Sequence, residues 1–195
     1  MSSKNTPIYL SLVLTMLFWG VTFVFYKIAF ESFRPVTVII LRLIISVPFI
    51  VIAARVLKKI QKVHKRDLYY LALLAFFEPF LYFMGESYGL TYVSSTLAAI
   101  IVATIPLMVP VAAWLAYREK LSRMNMMGLL LSFVGVILVI FSSKVDLNAT
   151  LKGVLLMFMA VFAAVGYAIL VKKMTYKYNG FTITAYQNFF GIFLF

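Results

Sequence analysis

The chain has no cysteine, only six acidic residues among its 195, and charged side chains of either sign amount to just 12%. Without cysteine, disulfides and thiolate metal sites are excluded. No zinc-protease or phosphate-loop pattern is present either, so no metal, no cofactor and no ATP-driven step is expected. What fills the sequence instead is apolar: 64% of the residues are hydrophobic and 17% aromatic. A water-soluble globule of this length has too little interior to hide that much apolar surface, and a disordered chain needs low hydrophobicity. The solvent is therefore lipid. A net charge of +12 would suit nucleic acid if it were gathered on one face of a soluble domain, but here the charges sit between apolar runs. The expected partners are membrane lipid and a small-molecule substrate, with no nucleic acid. The first apolar stretch, Ile8 to Phe30, is too long for a signal-peptide core and has no small-residue cleavage site, so it is expected to stay in the membrane.

Lipid admits helices and closed barrels, and the apolar runs are continuous rather than alternating, which selects an all-α integral membrane protein. At about 20 residues per crossing, the runs predict helices at about 7–30, 36–57, 68–90, 95–117, 123–142 and 151–171, with a seventh beginning near 182. Pro35 suits a first helical turn, and Asp67, Ser94 or Ser95, Ser122 and Thr150 stand where a side chain accepts from orphan N–H groups. The short connections predict antiparallel sequential neighbours. Arg55, Lys58, Lys59, Lys62, Lys65 and Arg66 fall in one loop, and Lys4, Arg118, Lys120, Arg123, Lys172, Lys173 and Lys177 fall on the same side. The opposite loops hold only Arg34, Lys144 and Lys152, with Lys27 near a helix end, so the N-terminus is expected in the cytoplasm.

Set against itself at an offset of about 146 residues, the chain places Leu10 on Leu156, Gly20 on Gly166, Lys27 on Lys173 and Arg42 on Asn188. Five helices separate the copies, and an odd number turns the second one upside down. Residues 1–146 then form a first five-helix repeat and residues 147–195 begin a second, inverted one. Twice the repeat would be roughly 290 to 300 residues with ten helices, so about seven spans of an expected ten are read. A C-terminal half or a second copy of the chain is expected to complete the bundle.

Trp19-Gly20 in the first span, Pro35 and Arg42 in the second, Gly89-Leu90, Tyr92 and Ser94-Ser95 before the fourth, and Pro106 within it follow one another in order. Glu119, Leu121, Gly128 and Gly135-Val136 continue the series. In these motifs the chain resembles the EamA-type domain of the drug/metabolite transporter superfamily, over residues 8–142 as a whole domain and beyond them as the start of a second. The resemblance implies ten helices in two inverted halves, and movement of small metabolites, often amino acids or related compounds and frequently outward. It also implies a multi-pass protein of the bacterial cytoplasmic membrane.

Buried charges are expensive in lipid and mark functional positions. Glu78, Tyr82 and Glu86 recur every four residues and form one polar stripe on the third span, expected to face the bundle interior, while Arg42 projects from the antiparallel second span. At about 1.5 Å per residue from the outer ends, Arg42 lies roughly 9 Å deep, Glu86 roughly 6 Å and Glu78 roughly 18 Å. Arg42 and Glu86 are thus expected to pair, either to hold two helices together or to meet substrate. Glu78, near the midplane with no cation at its level, either carries a coupling proton or is a structural hydrogen-bond donor. Trp19, mid-span beside Gly20, is either a pocket wall or core packing, while Tyr88 and Tyr92 read as interfacial anchors. Pro48, Pro79, Pro106 and Pro110 fall inside spans, and Pro106 and Pro110 predict two kinks on one face. Pro79, Pro106 and Pro110 are either gating hinges or static bends. Gly85-Glu86-Ser87-Tyr88-Gly89 matches the nucleophile-elbow pattern, but that elbow needs a strand-turn-helix and a histidine partner, and His64 is expected across the membrane. Gly85 and Gly89 read better as a small-residue notch for a neighbouring helix, and the chain is not expected to be an enzyme.

These readings lead to a secondary transporter of small organic metabolites working by alternating access. The alternative is a structural or regulatory membrane subunit that depends on a partner.

Overall fold

The structure, a computed structural model, describes residues 6–118, 122–142 and 150–195. Lys4, Glu119, Lys120, Leu121 and Lys144 lie outside the described residues. Within them the chain is helical and contains no strand. The elements are α1 (Thr6–Ser32), α2 (Pro35–Val56), α3 (Lys65–Ala75), a wide π-helical turn (Phe76–Leu81), α4 (Tyr82–Leu90), α5 (Ser95–Val102), α6 (Ile105–Tyr117), α7 (Arg123–Ser142), α8 (Leu151–Thr175) and α9 (Gly180–Ile192). Taking α3 with α4 and α5 with α6 as single broken spans, the helices stand where the apolar runs predict them. Five of these units are long and apolar enough to cross a membrane. Their outward faces carry Leu17, Phe18, Phe49, Val56, Leu115 and Phe162, all exposed. Such a surface is stable only against lipid, so the protein is an integral, multi-pass membrane protein.

Local chemistry sets several boundaries. Pro35 occupies the first turn of α2, where a missing N–H costs nothing. Ser94 caps α5 by accepting from Leu97 N–H, and Thr150 caps α8 by accepting from Gly153 N–H. Asp67 does not act as the expected cap: α3 begins two residues earlier, and the Asp67 carboxylate is drawn into a tertiary contact described below. The two expected kinks at Pro106 and Pro110 are one break. It falls at Ala103–Thr104, Pro106 starts the next segment, and Pro110 lies within continuous α6. Pro106 in a first turn has no bond to lose, so the backbone breaks before it rather than at it.

Packing departs from chain order. The expected pairing of sequential helices does not hold for the largest interfaces, which join α4 to α8, α2 to α9, α3 to α9 and α6 to α8. The cause of the first is legible at Gly85, where an added Cβ would stand 2.6 Å from Leu156 O and 2.8 Å from Ala160 N of α8. Gly89 meets Met157 one turn on. The glycine notch therefore seats α8 against α4 with backbone touching backbone, as the small-residue spacing predicts. Leu90, Met157, Ala160 and Val161 are fully buried at this crossing.

Candidate functional site

The third span opens at Glu78, whose backbone is extended (φ −143°, ψ 118°) between two helical stretches. The Glu78–Pro79 peptide is cis. Past the opening, Tyr82 N–H reaches back to the carbonyls of Phe77 and Pro79, so the wide turn recovers backbone bonds that lipid would not supply. Glycines from two other helices clasp it. An added Cβ at Gly166 of α8 would meet the Phe77 ring at 2.6 Å, and one at Gly191 of α9 would meet Pro79 Cγ at 2.4 Å. Pro79 is buried and Glu78 half-buried.

One turn further along α4, the Tyr82 hydroxyl donates to Glu86 Oε1 at 2.7 Å, and both residues are buried. The i to i+4 stripe therefore exists for Tyr82 and Glu86. Glu78 is taken off its period by the extended backbone. Trp19 of α1, partly buried against the core, also interacts with the Glu86 carboxyl. It thus packs in the core and borders the polar cluster at once.

Arg42 does not form the expected ion pair with Glu86. Its Nη1 donates to the hydroxyl of Tyr26, a buried residue of α1, and its guanidinium lies over the Phe83 ring, 4.1 Å from the centroid. The helix register explains this: Tyr82 already occupies Glu86 from its own helix, while Tyr26 stands where α1 passes α2. Arg42 remains within electrostatic reach of both Glu86 and Glu78, so Glu78 is not without a cation in its surroundings as depth alone predicts. Beside Glu78, α8 contributes Tyr167, whose hydroxyl donates to Gln187 Oε1 of α9 at 2.9 Å. Ser87 is fully buried, and its Oγ has no hydrogen-bond partner among the described residues.

The elbow-like run 85–89 lies wholly within α4, with no strand before it. His64 stands at the start of α3, 23 residues from Ser87 and so about 35 Å away along the span. That placement gives this motif none of its catalytic context. Among the described residues no group of three or more histidine, aspartate or glutamate side chains is placed to hold a metal ion.

A second polar cluster lies at the Asp67 end. Lys177 Nζ donates to Asp67 Oδ1 at 2.8 Å, the only ion pair among the described residues, and the Tyr178 hydroxyl donates to Oδ2 at 2.7 Å. Asp67 holds Lys177 protonated above the ordinary lysine range. Beside it Asn179 N–H donates to Gln61 Oε1, and the Asn179 amide donates to Lys59 O. Tyr92, expected as an interfacial anchor, accepts from Lys152 Nζ at 3.1 Å, with the ammonium 4.8 Å from its ring centroid.

The sequence pointed to Arg42, Glu86, Tyr82, Trp19 and Glu78, and the fold brings these five to one region. It missed Tyr26, Tyr167 and Gln187, which stand on α1, α8 and α9 and share no period with the stripe, and it read Ser87 of α4 only as part of the elbow-like motif. Pro106 and Pro110 lie on α6, apart in the chain from the opening at Glu78.

Comparison with known proteins finds several relatives, among them three that show the range of the likeness. The chain is 28% identical to an uncharacterized transporter of Archaeoglobus fulgidus over 96% of its own length and 65% of the relative's. It is 28% identical to the uncharacterized transporter YcxC of Bacillus subtilis over 98% of its length and 62% of the relative's. It is 32% identical to the protein PagO of Salmonella typhimurium, over 65% of its length and 41% of the relative's. The chain thus spans less than two thirds of the length of these relatives. No solved structure matches it. The model of the EamA-like transporter family matches residues 6–141, and the chain belongs to that family.

Proposed function

We propose that the chain forms part of a secondary transporter that moves small organic metabolites across a bacterial cytoplasmic membrane by alternating access, with the N-terminus in the cytoplasm. Residues 1–146 serve as a first repeat and residues 147–195 as the start of an inverted second. Amino acids and related compounds, moved outward, are the cargo that the family resemblance suggests. One observation carries the reading: in an otherwise apolar bundle, Trp19 and Tyr26 of α1, Arg42 of α2, and Tyr82 and Glu86 of α4 converge beside the broken span at Glu78. Broken helices with polar groups between repeats are how secondary transporters build a site that two packings share. Lys and Arg gathered at the Asp67 end support the orientation. In this reading Glu78, on extended backbone within electrostatic reach of Arg42, takes up a proton from one side and releases it to the other.

The test is flux into liposomes under an imposed pH gradient, with a panel of labelled metabolites. Saturable uphill movement of at least one solute is expected. Glu78→Gln should fold, keep solute exchange and lose uphill movement. Unchanged uphill movement in Glu78→Gln would remove the coupling role. Absence of any saturable flux from the protein would sink transport and favour the partner-dependent subunit.

A further inference from the structure

The unexplained group in the polar cluster is Arg42. A guanidinium inside a membrane span is costly, and such groups pair with carboxylates when one is in reach. Both nearby carboxylates are otherwise placed. Glu86 is held by the Tyr82 hydroxyl and by Trp19, and Glu78 stands on the opened backbone; neither makes an ion-pair contact with Arg42 among the described residues. What holds Arg42 is aromatic and neutral: the Phe83 face at 4.1 Å, the Tyr26 ring at 5.8 Å and the Tyr26 hydroxyl. Stacking uses the face of the group and leaves its in-plane donors. Of the five N–H groups that a guanidinium carries, the Tyr26 bond takes one. Arg42 is moreover exposed, while Tyr26, Phe83 and Glu86 around it are buried.

We propose that Arg42 is the receptor for a carboxylate on the solute, so that the cargo is a monocarboxylic acid, free or as the acid end of an amino acid. The proposal rests on the transporter reading and names its substrate class. A fixed guanidinium presents a fork that matches a carboxylate through two parallel hydrogen bonds, and its aromatic seat holds that fork in one plane. The charge balance limits the ligand further. With Glu86 and Glu78 in electrostatic reach, the surroundings of Arg42 tolerate one added negative charge far better than two. That disfavours phosphate dianions and dicarboxylates. Arg42 acts here by contact with substrate. The competing role is purely structural, a cation that balances two distant carboxylates.

Matched ligand pairs separate the two. In detergent, 3-phenylpropionate and leucine should raise the unfolding temperature of the protein, and 3-phenylpropionamide and leucinamide should not. In liposomes the acids should exchange about tenfold or more faster than their amides, the loss expected when a charged hydrogen-bonded pair is replaced by a neutral one. Arg42→Lys keeps the charge without the fork and should retain weak preference for the acids. Arg42→Gln should lose it while remaining monodisperse. Amides that bind and exchange as well as their acids would overturn the proposal, even with transport itself intact. Because the binding arm needs no flux, a protein that moves nothing still decides it: acid-selective stabilisation upholds the carboxylate site and leaves only the transport reading refuted. Equal stabilisation by acids and amides, or none by either, refutes the site.

Discussion

The α4–α8 crossing offers a test whose size follows from the coordinates. In Gly85→Ala the new Cβ would sit 2.6 Å from Leu156 O and 2.8 Å from Ala160 N. The first of these is about 0.8 Å inside the lower edge of ordinary van der Waals contact. Both neighbours are backbone, so no rotamer change relieves the overlap and the helices must part by most of an ångström. A gap of that order forfeits about a quarter to a half of each contact's attraction along a seam that buries Leu90, Met157, Ala160 and Val161. Overpacking of this kind costs about 1–3 kcal/mol. Replacing a helical glycine by alanine returns about 0.5–1 kcal/mol on its own. Gly20→Ala isolates that gain, because nothing lies within 4 Å of its Cβ position. The difference between the two variants is then the packing cost itself, about 1–3 kcal/mol in favour of Gly20→Ala. Gly89→Ala should fall between them, since its nearest obstacle is the flexible Met157 side chain. Unfolding in SDS-titrated mixed micelles, followed by tryptophan fluorescence, measures all three. If Gly85→Ala proves as stable as Gly20→Ala, the helices are not in backbone contact at that point and the α4–α8 packing is wrong.

Two further outcomes follow. Tyr82→Phe conserves the ring but removes the donor to the buried Glu86 carboxyl, and should destabilise the protein by about 1–3 kcal/mol in the same titration; an unchanged midpoint would mean that the bond is not formed. Since the chain has no cysteine background, single cysteines report topology directly: one at Lys62 should be blocked only by membrane-permeant reagents and one at Thr91 by impermeant ones, and the opposite pattern would reverse the assigned orientation.

The membrane-spanning helices can be read from the order of the residues alone. A bilayer demands a fixed apolar length and internally satisfied backbone, and both demands are local, so the helices among the described residues, Pro35 in its first turn, and the caps at Ser94 and Thr150 were all legible. The Gly85/Gly89 notch and the Tyr82–Glu86 pair were legible too, because each lies within one helix and obeys its period. Periodicity does not carry which helix fills the notch, or which side chain from another helix meets a given charge; these come from the packing. Asp67 reads as a cap until Lys177 and Tyr178, 110 and 111 residues away, claim its carboxylate. Arg42 reads as the partner of Glu86 until Tyr82 takes that carboxyl and Tyr26 takes the guanidinium. Glu78 reads as the third member of a helical stripe until Pro79, clasped by Gly191 of α9, takes it off the helix. In lipid the hydrophobic effect does not choose helix partners, since one apolar face is as good as another against acyl chains. That choice rests on shape fit and on a few polar contacts between residues remote in the chain, and these exist only once the helices are side by side.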